Sequence, residues 1–130
     1  MLAVNEPNRI YVNQPSGTRV QRQISRMIKH LRDQYHRDHP TITMPSSWLI
    51  GELVINGAKL YVQEYDSWID RIELTLKQII RDTSYDDCLY INSRNNLPLF
   101  PNNDLFDPWE VNKAMCQLLD YLDDLGGGVH

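Results

Sequence analysis

Between Val20 and Tyr35 the apolar residues Val20, Ile24, Met27, Ile28, Leu31 and Tyr35 recur every three to four positions. At about 100° per residue they fill one arc of a helix, roughly 100° wide. Arg22, Arg26, Lys29 and Arg32 fall on the opposite side. A segment divided in this way must bury one face and turn the other toward solvent or a ligand. The pattern predicts a helix over 18–38, ended at His39-Pro40 because the residue before a proline disfavours the α region. Any fold open to this chain has to cover that arc.

The remaining chain supplies the cover. Pro45 suits a first helical turn, and Ser46 and Ser47 can cap the free amides there. The helix they open runs through Trp48, Leu49, Ile50, Leu53, Val54, Ile55, Ala58, Leu60 and Tyr61, whose side chains point in nearly every direction. It therefore reads as central and buried on most sides, with Asn56-Gly57 either kinking or ending it. A third helix follows Asp66 or Ser67, with Trp68, Ile69, Ile72, Leu76, Ile79 and Ile80 as its inner face. In the last helix Asp107 caps, Pro108 takes the first position and Glu110 completes a capping box. Its stripe is Val111, Met115, Leu118, Leu119 and Leu122, and Gly126-Gly127-Gly128 stops it. The run Cys88-Leu89-Tyr90-Ile91 could form a strand but has no strand to pair with. The expected fold is all-α, a compact bundle of four main helices with one long irregular loop at about 82–106. It divides into an N-terminal loop segment 1–17, a helical domain 18–125 and a flexible tail 126–130.

At 130 residues, 42% hydrophobic and 23% charged, the chain is one soluble domain with enough apolar residues for a core. Neither a signal peptide nor an apolar run of membrane-spanning length is present, so a cytoplasmic protein without membrane contact is expected. Cys88 and Cys116 define neither a disulfide framework nor a zinc motif. Net charge is −4, which argues against nucleic acid as a partner. Yet six of the thirteen Lys and Arg (Arg19, Arg22, Arg26, Lys29, Arg32 and Arg37) lie in the first helix. A local anion site on an acidic protein is thus permitted.

That site is expected at the start of the second helix. Unpaired N–H groups and a partial positive charge favour phosphate there. Ser46 and Ser47 add donors, and Lys29, with Arg22 and Arg26 on the same helix, adds charge. The competing reading makes Ser46 an ordinary cap and Lys29 a solvated surface charge. His30, His36 and His39 lack a fourth ligand at a metal spacing and read as surface histidines. Asp82, Asp86 and Asp87, like Asp120, Asp123 and Asp124, read as solvated acids rather than a magnesium site. No Walker-type loop, G-x-S-x-G or Cys-x-x-Cys occurs, so a self-sufficient enzyme is not expected.

Three stretches carry a resemblance: Asn13-Gln14-Pro15-Ser16-Gly17, Arg26-Met27-Ile28-Lys29-His30-Leu31-Arg32 and Met44-Pro45-Ser46-Ser47-Trp48-Leu49-Ile50. In this order they resemble the C-terminal helical domain of polymerase-β-like nucleotidyltransferases, in the oligoadenylate-synthetase and bacterial cyclic-oligonucleotide-synthase branch. Asp107-Pro108 before the last helix is similar to that family's late loop. The resemblance covers about residues 13–54, and 98–122 loosely. It implies a lid over a donor nucleotide, with Lys29 and Ser46 or Ser47 on the triphosphate and Mg2+ accompanying the nucleotide. It also implies an N-terminal catalytic domain as partner, because the family's Gly-Ser turn and paired metal-binding acids do not occur here. Alone, such a chain would bind nucleoside triphosphate weakly and transfer nothing. The alternative is a non-enzymatic α-helical protein-interaction module that docks through the basic face of the first helix.

Overall fold

The computed structural model describes residues 17–84 and 108–127. Among these residues all regular structure is helical: α1 (Arg19–Asp38), α2 (Ser47–Gly57), α3 (Leu60–Gln63), α4 (Trp68–Asp82) and α5 (Pro108–Gly127). Over the described residues the fold is all-α, as expected. Most of the expected loop at 82–106 lies outside the described residues, as do residues 1–16, the Asp107 cap and residues 128–130.

Helix α1 starts on a reciprocal cap. Gln21 N–H donates to Thr18 Oγ1 at 3.1 Å, and Thr18 N–H donates to Gln21 Oε1 at 2.9 Å. Gly17 enters this cap with φ of +86°, and a β-carbon there would stand 2.2 Å from Gln21 Oε1. The amide nitrogen of Gln21 then leaves its own helix. Nε2 donates to Ala58 O at 3.0 Å and to Ile55 O at 3.3 Å, taking up carbonyls at the far end of α2. Gln63 Nε2 donates to the same Ala58 O at 2.9 Å, and Thr18 Oγ1 donates to Gln63 Oε1 at 2.6 Å. This closed circuit ties the start of α1 to the end of α2 and to α3. At the other end, Arg32 donates from NH1 to Pro45 O at 3.1 Å, just ahead of α2. The two helices are therefore antiparallel neighbours.

Ser46 caps α2 by accepting from Leu49 N–H at 3.2 Å. The helix ends at Gly57 instead of continuing to Tyr61, because Ala58 leaves the helical region at φ −84° and ψ 76°. Gly57 also lies flat on α4, where a β-carbon would come within 2.8 Å of Ile79 Cγ1. The single turn of α3 carries the chain onward. As a result, Leu60 and Tyr61 are exposed, and so is Trp48 at 54%. Helix α2 is buried on most sides, as expected: Glu52 and Gly57 are covered along with the apolar Leu49, Ile50, Leu53 and Val54.

These residues meet Ile24, Ile28, Leu31 and Tyr35 of α1, Ile72, Leu76 and Ile79 of α4, and Val111, Met115, Leu118 and Leu122 of α5 in one core. Trp68 and Ile69 were expected on the inner face of α4 but lie in its exposed first turn, where the Arg71 guanidinium sits 4.3 Å from the Trp68 ring centre. Helix α5 runs through Gly127, so the glycine triplet stops it slightly later than expected. It is pinned to α4 by Asn112 Nδ2, which donates to Ile80 O at 2.8 Å. It is held to α1 by Tyr121, whose hydroxyl donates to Asp38 Oδ2 at 2.8 Å and whose ring meets Tyr35 edge-on at 5.3 Å.

The Gln21 circuit should be a measurable part of stability. Gln21→Ala removes both cross-helix bonds and half the cap, and is expected to cost about 1–3 kcal/mol in urea unfolding. A loss within error of zero would mean that water replaces the amide without penalty.

The Tyr121–Asp38 bond has a signature in alkali. The hydrogen bond to Asp38 is the largest cause raising the Tyr121 phenol pKa, followed by desolvation and the Asp38 charge. A group whose pKa rises on folding contributes stability below its unfolded value, near pH ~10 for tyrosine, and loses it as pH climbs through the folded value. Wild type should therefore lose more stability between about pH 9 and 11 than Tyr121→Phe does, read as urea midpoints across that range. Parallel curves for the two proteins would count against the bond.

Candidate functional site

Opposite the core, α1 and α2 diverge to leave a trench of about 280 Å³. Gln21, Arg22, Ser25, Arg26 and Lys29 form its α1 bank. Ser47, Trp48, Gly51 and Ile55 form the α2 bank. Both sets follow helical spacing, so each bank is one continuous face. Because the helices run antiparallel, Lys29 meets the N-terminal half of α2, while Gln21 and Arg22 lie toward its end.

Four of the five site residues expected from the sequence come together here: Arg22, Arg26, Lys29 and Ser47. Ser46 does not. Its hydroxyl caps α2 from the adjoining turn and is no part of the trench lining. Lys29, on the face opposite the core, is half-buried and reaches across the crossing, with Nζ 3.8 Å from where a β-carbon on Gly51 would stand. Arg22 also serves the fold, donating from NH1 to Gly17 O at 2.9 Å, whereas Arg26 is exposed on the rim.

Gln21, Ser25, Trp48 and Gly51 join the site without having been singled out from the sequence. Ser25 lies one turn before Lys29, a spacing that the sequence does display. Gly51 is the more informative of the four. A glycine inside a helix costs about 1 kcal/mol relative to alanine. No packing constraint accounts for it, since an added β-carbon would find its nearest neighbours, Lys29 Nζ and Ser25 Oγ, at 3.8 and 3.9 Å. That is ordinary van der Waals contact.

The lining brings three cations together and, among the described residues, no carboxylate. Three cationic side chains and a serine in the first turn of α2 are groups whose chemistry matches an oxyanion. Glu52, next after Gly51, is completely buried and has an interaction within the fold, as does Lys29. Beyond Arg26, which borders both concavities, lies an apolar groove of about 870 Å³ between α1, α4 and α5, walled by Met27, Leu31, Ile72 and Leu122.

The other candidate groups lie elsewhere. His36 Nδ1 is 3.0 Å from Ile42 O, His39 stacks on Tyr35, and His30 borders the apolar groove. Among the described residues no group of three or more His, Cys, Asp or Glu is placed to hold a metal ion, and no helix is long and apolar enough to cross a membrane. Burial pushes the Cys116 thiol pKa up, with the Asp120 charge adding to it, which makes it a poor nucleophile near neutral pH. Asp86, Asp87 and Cys88 lie outside the described residues. Comparisons with models of protein families, with curated proteins and with solved structures found no significant match to this chain.

The room above Gly51 makes a clear forecast. Gly51→Ala should leave stability unchanged or raise it by up to about 1 kcal/mol in thermal unfolding. A marked loss would show that the trench floor is packed against something in the folded protein.

Proposed function

We propose that this chain is a helical lid domain that holds the phosphates of a nucleoside triphosphate in the α1–α2 trench, beside the catalytic domain of a nucleotidyltransferase. It would not transfer nucleotides by itself. The observation that carries this reading is the convergence of Arg22, Arg26 and Lys29 with Ser47 on one concavity. Arginine offers paired donors to phosphate oxygens, lysine a mobile point charge, and the first turn of α2 a partial positive charge. Mg2+ would arrive with the triphosphate. The exposed Trp48 on the trench wall offers a flat apolar surface for a base. The nucleotidyltransferase context rests on the resemblance carried by Lys29 and by Met44-Pro45-Ser46-Ser47.

The rival reading, a protein-interaction module docking through the basic face of α1, has less to work with. Arg32, outside the trench, is bonded to Pro45 O and Asp33, so that cation of the face already serves the fold.

Titrating the 15N-labelled chain with Mg-ATP distinguishes the two. Chemical-shift changes are expected at residues 22–29 and 47–51, with weak affinity that falls further in Arg26→Glu. Silence at those positions would end the nucleotide reading. A protein partner lost in Arg22→Glu and Arg26→Glu but retained in Ser47→Ala would favour the rival.

A further inference from the structure

The geometry points to a seat for one phosphoryl oxygen directly above Gly51, held by Ser25 Oγ and Lys29 Nζ and left open by the glycine's missing side chain. This assigns Ser25 as a ligand and Gly51 as the aperture, and it rests on the trench being the phosphate site proposed above.

Ser25 and Lys29 are four residues apart on α1, so their side chains lie one above the other on the same face. Both reach toward the same point of α2. The β-carbon position of Gly51 is 3.9 Å from Ser25 Oγ and 3.8 Å from Lys29 Nζ. Hydrogen bonds from such groups to oxygen close at about 2.7–3.2 Å. An oxygen resting over Gly51 makes a Cα–H···O contact at about 3.3–3.6 Å from its Cα and so stands outside that β-carbon position. The flexible lysine stem lets Nζ close on it, while the oxygen itself approaches the Ser25 hydroxyl. Lys29 has an interaction within the fold, and an ammonium group carries three N–H donors, so it can hold that contact and an oxyanion together. Ser25 is buried, which fixes its hydroxyl in place, and the trench is its opening to solvent. Arg22 and Arg26 flank the seat on the same bank and would neutralise the other oxygens of the phosphoryl group.

An alanine at 51 would place a methyl group between the Gly51 Cα and that oxygen, too close for both to fit. Phosphate would then be lifted out of reach of both donors while the fold stays intact.

The test titrates the full chain with inorganic tripolyphosphate, which has no base, by calorimetry and by NMR. Wild type should bind, with the amides of Ser25 and Gly51 shifting. Gly51→Ala should keep the wild-type melting temperature or exceed it, yet bind tripolyphosphate about tenfold or more weakly, the loss expected for a hydrogen bond to a charged group. Ser25→Ala should lose about as much. If wild type binds tripolyphosphate and either variant binds it equally well, the seat is wrong and the wider trench reading survives. If wild type does not bind at all, both fall.

Discussion

The structure depends most on the side-chain amide of Gln21. A single buried group closes the first turn of α1 through Oε1 and takes up two carbonyls at the end of α2 through Nε2. These contacts fill its acceptor and donor sides at once, and a half-satisfied amide at this depth would cost more than it contributed. Their consequence is register. With Gln21 fixed against Ala58 and Arg32 against Pro45, the two helices cannot slide past each other. Everything along the trench follows from that alignment, including the meeting of Ser25 and Lys29 with Gly51.

The same alignment explains how a basic helix can be both wall and scaffold. The arc of Ile24, Ile28, Leu31 and Tyr35 goes into the core, and the cations begin immediately beside it. Arg22 and Arg32 bind carbonyls near the two ends of the crossing, which leaves Arg26 and Lys29 in the middle, where α2 is narrowest at Gly51. Charge is thus concentrated on a small part of an acidic protein, and the net value of −4 conceals it.

The sequence displayed the elements more clearly than their directions. Periodicity and capping residues located α1, α4 and α5 to within a residue or two, and Thr18, Ser46 and Ser67 all sit at N-caps. What local pattern could not convey was which apolar residue of α2 would stay outside. Its apolar residues point all round and most of the helix is covered, yet Trp48 in the first turn is exposed. The same limit applies to the site. Arg22, Arg26, Lys29 and Ser47 are visible as charge and as a helix start, because those are properties of the residues themselves. Ser25 and Gly51 become meaningful only once one helix crosses the other, and Ser46, the more obvious serine, is occupied by its own cap.

The openness of the trench sets what a site built from two helices can do. Its outer side is water, so each ion contact acts in a high effective dielectric and is worth far less than it would be if enclosed. A volume of about 280 Å³ lies just below the range of pockets that enclose a whole small ligand, so most of a nucleotide would remain outside. Under the proposed reading, phosphate would be positioned here rather than sequestered. Excluding water, and so strengthening the same contacts without changing a residue, requires a second surface laid across Arg22, Arg26 and Lys29. The proposed lid would supply one wall of such a closed site. The rigid register imposed by Gln21 suits that task, because a wall that must meet another surface cannot afford helices that slip.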